Sequence, residues 1–338
     1  MRYELPTIED RPLWDIWLSM FQLPALTVAD ELQLFPCLAE EPRSTKELAE
    51  RLGVDLRGMD VLVALLSAMG LLRSSGTAHE LTDVARTYLL PVSPFYWGPL
   101  LRGRLGRMSG QHVALLDALR RQAGAPSRAS EGWKSGQMTP AMAEAVTRVM
   151  HCHSLPAAIG AASHDGFSSI RRLLDVGGGS GCFSIAIAQR YPELRCSIMD
   201  LPPVCEVARR YVVEGGVADR VDAIAVDMFR DPWPKGYDGI LLSNILHDWD
   251  AKTNEKLARA AFDVLPSGGK IFVHEMLLTT SEPGPLTTAS FGVMMLLGTE
   301  GKQYALSELT EILERAGFAD VRADAAYGYY SIVSAVRP

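Results

Sequence analysis

The chain has 338 residues, of which 48% are hydrophobic, and its formal net charge is −7 at pH 7. A chain of this length and composition can bury a large core and is expected to form two or more domains. The excess of acidic side chains disfavours a surface that neutralises the phosphates of nucleic acids or the headgroups of anionic lipids. We therefore expect neither nucleic acid nor a membrane as a partner.

The beginning of the chain, MRYELPTIEDR, mixes acidic and basic side chains and contains no continuous apolar stretch that would indicate a signal peptide. The longest apolar run, residues 61–72, is too short to cross a bilayer. The five cysteines form no C-x-x-C pair, so we expect neither a disulfide framework nor a zinc cluster. These features predict a cytoplasmic protein.

Residues 1–105 are predicted to form an all-α domain of the winged-helix type. Residues 44–83 follow the order helix, turn, helix and hairpin, and Ser44 with Glu47 has the spacing of a capping box. Winged helices often bind DNA, but residues 1–105 hold ten basic and fourteen acidic residues. A DNA-reading helix needs local positive charge. We therefore favour a dimerisation domain and keep a DNA-binding regulator as the alternative.

Residues 106–165 continue as helical patches with a polar break at 123–133, and we predict a helical linker that contributes to a substrate pocket. From residue 166 to residue 338, short apolar strands alternate with helical stretches. This pattern is typical of an α/β fold with a doubly wound, mostly parallel sheet. Seven strands are predicted near 171–176, 194–199, 221–226, 238–243, 270–276, 320–325 and 329–336. The helices between them are predicted at 182–190, 203–213 and 251–265.

A glycine-rich turn, DVGGGSG, follows the first strand of this sheet and contains Gly177 and Gly179. Glycines at such a turn let a ligand lie against the backbone, and the amides of the following helix face that ligand. Dinucleotide enzymes use a similar turn, but the spacing here departs from G-x-G-x-x-G. A tight turn without a ligand is the remaining alternative.

Two acidic residues follow the next two strands. Asp200 is placed to accept hydrogen bonds from both hydroxyls of a ribose, and Asp227 with the apolar Met228 and Phe229 to bind an adenine ring. The alternative role for Asp227 is that of a turn residue before Asp231. Because the carboxyl ends of these strands meet at one edge of the sheet, the three motifs together predict a bound adenosine.

The fourth strand leads to Ser243 and Asn244 and then to His247 and Asp248, which places His247 at the same edge of the sheet. In the fifth strand His274 and Glu275 must face opposite sides, so only one of them can point at the site. We expect this one to be Glu275, because a carboxylate beside His247 orients the imidazole and raises its basicity. Asp250 is predicted to cap the helix that follows.

These motifs resemble the small-molecule O-methyltransferases of plants and bacteria, of the caffeate and acetylserotonin type. The likeness spans nearly the whole chain, through DVGGGSG, MDLPPV, VDMF, ILHDWD, PSGGKIFVHE and ERAGF. It implies a Rossmann-like class I methyltransferase fold with an N-terminal winged-helix dimerisation domain, and a homodimer. It also implies S-adenosyl-L-methionine as cofactor, S-adenosyl-L-homocysteine as product and a hydroxyl of a small aromatic or polyketide-like molecule as methyl acceptor.

The resemblance also assigns roles to particular residues. His247 would be the general base, with Glu275 as its partner and Asp248 as a further acid. The residues implied to contact the cofactor are Gly177, Gly179, Asp200, Leu201, Asp227, Met228, Ser243 and Asn244. Members of the family often carry a second catalytic acid in a GKER segment, but this chain reads GKQY, with Gln303 at that position.

The substrate pocket is predicted to include Met294 and Met295, whose thioethers fit flat rings, although a plain core helix explains the same run. Met150 and His153 are further candidates, since an i, i+2 pair of histidines cannot share one helix face and at most one of His151 and His153 lines the pocket. No metal site is expected. Carbon or nitrogen methylation, or chemistry other than methylation on the same fold, remains an alternative.

Overall fold

The computed structural model describes residues 2–101, 110–120, 135, 137–279 and 285–338. The chain divides into two compact units. The first, here called the helical unit, comprises the described residues within Arg11–Arg128 and Leu278–Ala305. The second, here called the sheet unit, comprises those within Met1–Asp10, Ala129–Leu277 and Leu306–Pro338.

The helical unit contains the predicted winged-helix arrangement. A three-stranded sheet has the order β1-β3-β2, with β1 at Arg43–Ser44, β2 at Leu72–Ser75 and β3 at Ala78–Leu81. The predicted capping box is confirmed, because Ser44 accepts a hydrogen bond from the Glu47 amide while the Glu47 carboxylate accepts one from the Ser44 amide. The helices of this unit are Arg11–Leu18, Gln22–Glu31, Leu34–Glu40, Thr45–Leu52, Leu56–Ala68, Asp83–Tyr88, Gly98–Leu101, Gly110–Arg120 and Leu286–Gly298.

One helix of the helical unit comes from far along the chain. Helix Leu286–Gly298 is buried along nearly all of its length and packs against helix Leu56–Ala68. Trp14 of the first helix adds a ring contact to Phe291, with centroids 5.9 Å apart. This helix therefore belongs to the helical unit, because it buries its apolar surface against N-terminal helices.

The sheet unit is built on seven strands in the order β6-β5-β4-β7-β8-β10-β9. Neighbouring strands from β6 to β8 are parallel, and β10 is antiparallel to both β8 and β9. The strands are β4 at Arg172–Val176, β5 at Arg195–Asp200, β6 at Val221–Ala225, β7 at Gly239–Ser243, β8 at Lys270–Met276, β9 at Ala319–Ala325 and β10 at Tyr330–Val336. Its helices are Pro140–Ala161, Cys182–Arg190, Pro202–Gly215, Ala251–Val264 and Leu306–Arg315.

This topology confirms the predicted doubly wound, mostly parallel sheet. The strand order reverses between β4 and β7, so their carboxyl ends open a crevice at the switch point. The predicted polar break at 123–133 lies outside the described residues. Among the helices that the structure describes, none is both long and apolar enough to span a bilayer.

Candidate functional site

A cavity of about 900 Å³, part of it open to solvent, lies in the sheet unit at the carboxyl ends of the parallel strands. It collects residues that are distant in sequence but follow neighbouring strands, as the topology requires. The predicted residues among its lining are Met150, Gly177, Gly179, Asp200, Leu201, Asp227, Met228, Asn244 and Asp248. The apolar lining residues that the sequence did not single out are Met138, Val146, Met199, Val204, Val226, Ile245 and Trp249.

The glycine turn after β4 presents bare backbone to this cavity. Gly177 and Gly179 have left-handed backbone conformations, with φ of +65° and +57°. An ideal Cβ at Gly179 would meet no described atom within 4 Å, so the space in front of this residue is open. The Gly179 amide donates a 2.9 Å hydrogen bond to Oδ2 of Asp200, which ties the turn to the end of β5.

Asp200 ends β5 and is held in place by two backbone amides. Its Oδ1 accepts a 2.7 Å hydrogen bond from Leu201, in addition to the bond from Gly179 at Oδ2. Burial raises the pKa of Asp200 to about 6, against the opposing effect of these two hydrogen bonds. Asp200 is therefore an oriented acceptor at the wall of the cavity, and it gains its charge close to neutral pH.

The loop after β6 places an acid and two apolar side chains at the cavity. Oδ1 of Asp227 accepts a 2.9 Å hydrogen bond from the Phe229 amide, and Nε1 of Trp233 donates a 2.9 Å bond to the Met228 carbonyl. Phe229 packs edge-to-face on Trp249, with ring centroids 4.7 Å apart. These contacts fix a loop whose apolar side chains line the cavity beside a carboxylate.

His247 lies in a one-turn 3-10 helix, Leu246–Asp248, and is 5% exposed. Its Nδ1 is 2.7 Å from Oε2 of Glu275, and Oε1 of Glu275 accepts hydrogen bonds from the Leu246 and His247 amides at 3.1 and 3.3 Å. Oδ1 of Asp248 lies 3.8 Å from Nε2 of His247. Glu275 thus lies where strand alternation predicted it, and it holds both the ring and the backbone of His247.

Asn254 positions this turn from the following helix, and sequence reasoning missed it. It is fully buried, and its Nδ2 donates to the carbonyls of Leu246 and Trp249 at 2.8 and 3.1 Å. Asp250 caps the same helix as predicted, because its Oδ1 accepts a 2.8 Å bond from the Thr253 amide. The buried amide of Asn254 therefore ties this helix to the 3-10 turn.

The charge of His247 is set by opposing effects. Burial lowers its pKa, but the Glu275 carboxylate and, to a smaller extent, Asp248 outweigh burial and raise the pKa to about 9. Burial raises the pKa of Asp248 to about 7, although the imidazolium of His247 opposes this. The group is a buried imidazole with increased basicity, oriented by a carboxylate.

The end of β7 carries one residue that faces the cavity and one that does not. Asn244 lines the cavity and has a left-handed backbone, with φ of 55°. The Ser243 hydroxyl lies 3.0 Å from Nδ1 of His274 and is absent from the cavity lining in the described residues. His274 stacks on Tyr330 with centroids 4.5 Å apart, and burial lowers its pKa to about 3. His274 is therefore a neutral structural histidine.

The two histidines of helix Pro140–Ala161 diverge, as their spacing predicts. His151 contacts Ser180 through Nδ1 at 2.8 Å and stacks on Tyr211 at 4.2 Å. His153 approaches Met150, and burial together with the charge of His247 lowers its pKa to about 4. Met150 lines the cavity, whereas His153 is not among the lining side chains that the structure describes.

The remaining predicted residues belong to the helical unit. Met294 is half-buried and Met295 buried in helix Leu286–Gly298, and Gln303 is buried after it. In the part of the chain that the structure describes, no three His, Cys, Asp or Glu side chains are grouped as metal ligands.

The cavity fits an adenosine-containing cofactor. The open space before Gly179 accommodates a group that approaches the backbone, and Asp200 and Asp227 offer carboxylate oxygens to hydroxyl and amino groups. Met228, Phe229 and Ile245 provide apolar surface for a flat ring.

Comparison with known proteins places these features in a family. A family model described as an O-methyltransferase domain matches residues 130–319, and a model of the O-methyltransferase dimerisation domain matches residues 14–91. The chain is 34% identical over 313 residues to the 3-hydroxy-5-methyl-1-naphthoate 3-O-methyltransferase of Streptomyces sahachiroi, covering 92% of this chain and 90% of the relative.

Two further relatives agree with this result. Acetylserotonin O-methyltransferase of Bos taurus is 31% identical over 328 residues, with 92% of each chain covered. The crystal structure of an O-methyltransferase family 2 protein from Planctomyces limnophilus, in complex with apigenin, superposes with a TM-score of 0.87 at 30% identity and covers all of both chains.

Proposed function

The chain belongs to the O-methyltransferase family of S-adenosylmethionine-dependent enzymes, and we propose that it methylates a hydroxyl group of a small aromatic or polyketide-like molecule with His247 as the general base. The observation that carries this proposal is the buried contact of 2.7 Å between Nδ1 of His247 and Glu275. A carboxylate on Nδ1 selects the tautomer whose Nε2 is basic.

The cofactor-binding roles follow the lining of the cavity. Asp200 would accept hydrogen bonds from the ribose hydroxyls, Asp227 would accept one from the adenine amino group, and Met228 would pack on the ring. Gly177, Gly179, Leu201 and Asn244 supply backbone and side-chain surface around the nucleoside. The cofactor contact of Ser243 stays a prediction; its hydroxyl lies 3.0 Å from Nδ1 of His274.

When bound, S-adenosylmethionine supplies a methyl group on a positively charged sulfur. His247 would take the proton of the acceptor hydroxyl at Nε2, which leaves the oxygen lone pair free for the methyl group that the cofactor would supply. Glu275 stabilises the imidazolium that results, and Asp248 adds to this effect. A phenol titrates near 10 and a free histidine near 6.5, so an imidazole whose pKa is raised to about 9 is much closer to the phenol in proton affinity than a free histidine is.

The acceptor is proposed to contact Met150 and His153 of helix Pro140–Ala161. The assignment of Met294 and Met295 of helix Leu286–Gly298 to an acceptor pocket stays a prediction. Thioethers adapt to flat, irregular rings, and a neutral His153 can donate or accept one hydrogen bond. The chain is further proposed to act as a homodimer through its winged-helix region, which the dimerisation-domain match supports.

The test is transfer of labelled methyl from S-adenosylmethionine to a panel of phenols. We expect His247→Ala to lose about 10²- to 10⁴-fold in turnover while it keeps its affinity for S-adenosylhomocysteine, measured by calorimetry. His164→Gln, which changes a histidine outside the cavity lining, serves as the control and keeps turnover. Full activity of His247→Ala would refute the general-base role, and salt-sensitive DNA retention without turnover would favour a regulator.

A further inference from the structure

The glycine turn after β4, residues 177–181, contains one residue with a side chain, Ser180. Its neighbours Gly179 and Gly181 have left-handed backbones, with φ of +57° and +75°. Glycine can adopt many backbone conformations, so a turn built on glycines keeps one conformation only where contacts from outside hold it. Besides its backbone groups, this turn therefore offers the rest of the protein a single side chain to hold, that of Ser180.

The hydroxyl of Ser180 is bonded to an earlier part of the chain. The N-cap of helix Cys182–Arg190 is Gly181, so Ser180 lies one residue before the position from which a serine caps a helix. Ser180 is 4% exposed, and a buried hydroxyl requires a hydrogen-bond partner. Its Oγ lies 2.8 Å from Nδ1 of His151, which is the length of a hydrogen bond. The side chain of the turn is thus tied to helix Pro140–Ala161.

The imidazole of His151 is itself fixed by aromatic neighbours. It stacks on the ring of Tyr211, with centroids 4.2 Å apart and an angle of 27° between the planes. The ring of Tyr3 meets the imidazole edge-on at 6.5 Å, and the Tyr3 amide donates a 2.8 Å hydrogen bond to Oε1 of Gln189. Because two rings restrict the imidazole, its Nδ1 can hold the hydroxyl of Ser180 in one position.

The hydrogen bond between His151 and Ser180 needs no charge. Burial lowers the pKa of His151 below its ordinary value, although the Glu214 carboxylate opposes this, so the imidazole is neutral at neutral pH. A neutral imidazole has one donor and one acceptor nitrogen, and a serine hydroxyl can serve as either partner. An uncharged amide at the same position could therefore replace the imidazole in this bond.

The same hydrogen bond joins two walls of the cofactor cavity. Thr147 and Met150, from the helix that carries His151, line the cavity on one side, and Gly177 and Gly179 of the turn line it on the other. A turn that moved away from the helix would change the open space in front of Gly179. The position of the turn relative to this helix therefore determines the shape of the cavity.

We propose that His151 is a positioning residue for the cofactor, because its hydrogen bond with Ser180 holds the glycine turn in the conformation in which Gly179 faces the cavity. This inference rests on the proposed function, which assigns the cavity to S-adenosylmethionine. Neither His151 nor Ser180 belongs to the cavity lining that the structure describes, so both act through the backbone of the turn. Loss of the bond should reduce the affinity for the cofactor and leave the proton transfer at His247 unchanged.

Two uncharged substitutions of His151 test the bond. The side-chain amide of asparagine reaches about as far as Nδ1 of an imidazole, whereas that of glutamine reaches about as far as Nε2. Both variants lose the ring that stacks on Tyr211, so they differ only in the bond to Ser180. We expect His151→Asn to bind S-adenosylhomocysteine within about threefold of the wild type and His151→Gln to bind it roughly tenfold more weakly, measured by calorimetry. Equal weakening in both variants would overturn the proposal.

Ser180→Ala removes the same bond from the side of the turn. It should also weaken the binding of S-adenosylhomocysteine by roughly tenfold. The double variant with His151→Gln should bind no more weakly than either single variant, because both changes remove one shared hydrogen bond. Additive losses, about a hundredfold in the double variant, would show that the two residues act independently and would overturn the proposal.

His164→Gln is the matched control for a role in stability alone. Nδ1 of His164 accepts a 3.2 Å hydrogen bond from the Gly166 amide, so this histidine also holds a turn of the sheet unit, but outside the described cavity lining. Glutamine at this position loses the Nδ1 contact, as it does in His151→Gln. We expect His164→Gln to lower Tm and to keep the affinity for S-adenosylhomocysteine. The proposal is overturned if His151→Gln behaves in the same way.

Steady-state kinetics separates this proposal from the proposed function. His151→Gln should raise KM for S-adenosylmethionine about tenfold and change kcat at saturating cofactor by about twofold or less, whereas His247→Ala should lose turnover and keep its affinity. Methyl transfer with an unchanged KM for S-adenosylmethionine in His151→Gln would support the proposed function and refute the role of His151. Weaker binding of S-adenosylhomocysteine by His151→Gln but not by His151→Asn, without transfer to any phenol, would support the role of His151 and contradict the methylation of phenols.

Discussion

The imidazole of His247 carries a proton at neutral pH in the absence of an acceptor, because the effect of Glu275 exceeds that of burial and places its pKa at about 9. A general base must be neutral to accept a proton. We therefore expect kcat/KM to rise by about tenfold per pH unit below this pKa and to level off near pH 9. Initial-rate measurements between pH 6 and 10 check this.

Replacing Glu275 by glutamine removes the carboxylate that raises the pKa of His247. The rising limb of kcat/KM should then move to lower pH, because burial, which lowers the pKa of His247, remains as the main effect. The plateau should fall by at least about tenfold, because the imidazole is a weaker base. Asp248→Asn is the control, since Asp248 makes a smaller contribution and the limb should move less. A pH profile of Glu275→Gln that matches the wild type would contradict the coupling.

Asp200 connects cofactor affinity to pH. Burial raises its pKa to about 6, and the ionised carboxylate accepts hydrogen bonds from ribose hydroxyls more strongly than the protonated group. The dissociation constant for S-adenosylhomocysteine should thus increase as the pH falls below 6, by up to about tenfold per unit. Isothermal titration calorimetry at pH 5, 6, 7 and 8 measures it.

The matched control for this dependence is Asp175. Burial also raises its pKa to about 6, but its carboxylate accepts a 2.7 Å hydrogen bond from Ser184 and is absent from the described cavity lining. Asp200→Asn should bind weakly with little pH dependence, whereas Asp175→Asn should keep the wild-type dependence. The reverse pattern would assign the titration to Asp175.

At the scale of secondary-structure elements, the glycine turn after β4 combines a left-handed backbone with open space in front of Gly179. Substitutions can separate the effects of these two features. Gly179→Ala places a methyl group in the cavity and forces alanine into a left-handed conformation. Gly53→Ala imposes the same conformation, at φ of 64°, on the C-cap of helix Thr45–Leu52, where an added Cβ also meets no described atom within 4 Å. Both should lower the free energy of unfolding by about 1 kcal/mol.

Only Gly179→Ala should weaken the binding of S-adenosylhomocysteine, by roughly tenfold or more, because only this methyl group competes with the ligand for space. Chemical denaturation and calorimetry on the same two variants separate the effects. Unchanged affinity of Gly179→Ala would show that no part of the cofactor lies against this turn.

The strands and helices of the sheet unit could be predicted from the sequence because each is encoded by a local pattern of apolar and polar residues. The predicted strand at 270–276 has the observed bounds, and its alternation placed Glu275 on the side of His247. Asn254 could not be found in this way, since its two bonds to the preceding turn arise from how that turn folds back on the helix. The grouping of helix Leu286–Gly298 with N-terminal helices was missed for a related reason. An apolar pattern predicts that a helix is buried, but it does not indicate which other helices bury it.

At the scale of the whole molecule, the first helix presents an apolar stripe that the winged-helix region leaves exposed. Leu13, Ile16 and Trp17 follow the i, i+3, i+4 spacing of one helix face, and Ile16 is 71% exposed. The opposite face is committed to the helical unit through buried Trp14 and Leu18. Since residues 14–91 match a dimerisation domain, a second copy of the chain is expected to cover this stripe.

The variant Ile16→Asp tests this expectation. A charge in the middle of the stripe should weaken the dimer by about 2 kcal/mol, or roughly 30-fold in dissociation constant, without disturbing the buried face of the helix. Val213→Asp is the control, because Val213 is 68% exposed on helix Pro202–Gly215 of the sheet unit and lies outside the dimerisation match.

Analytical ultracentrifugation over a concentration series should show dissociation of Ile16→Asp at concentrations where the wild type and Val213→Asp remain dimeric. A monomeric wild type, or equal dimer stability in the three proteins, would exclude this stripe as the contact, because an exposed apolar face that binds nothing does not respond to charge.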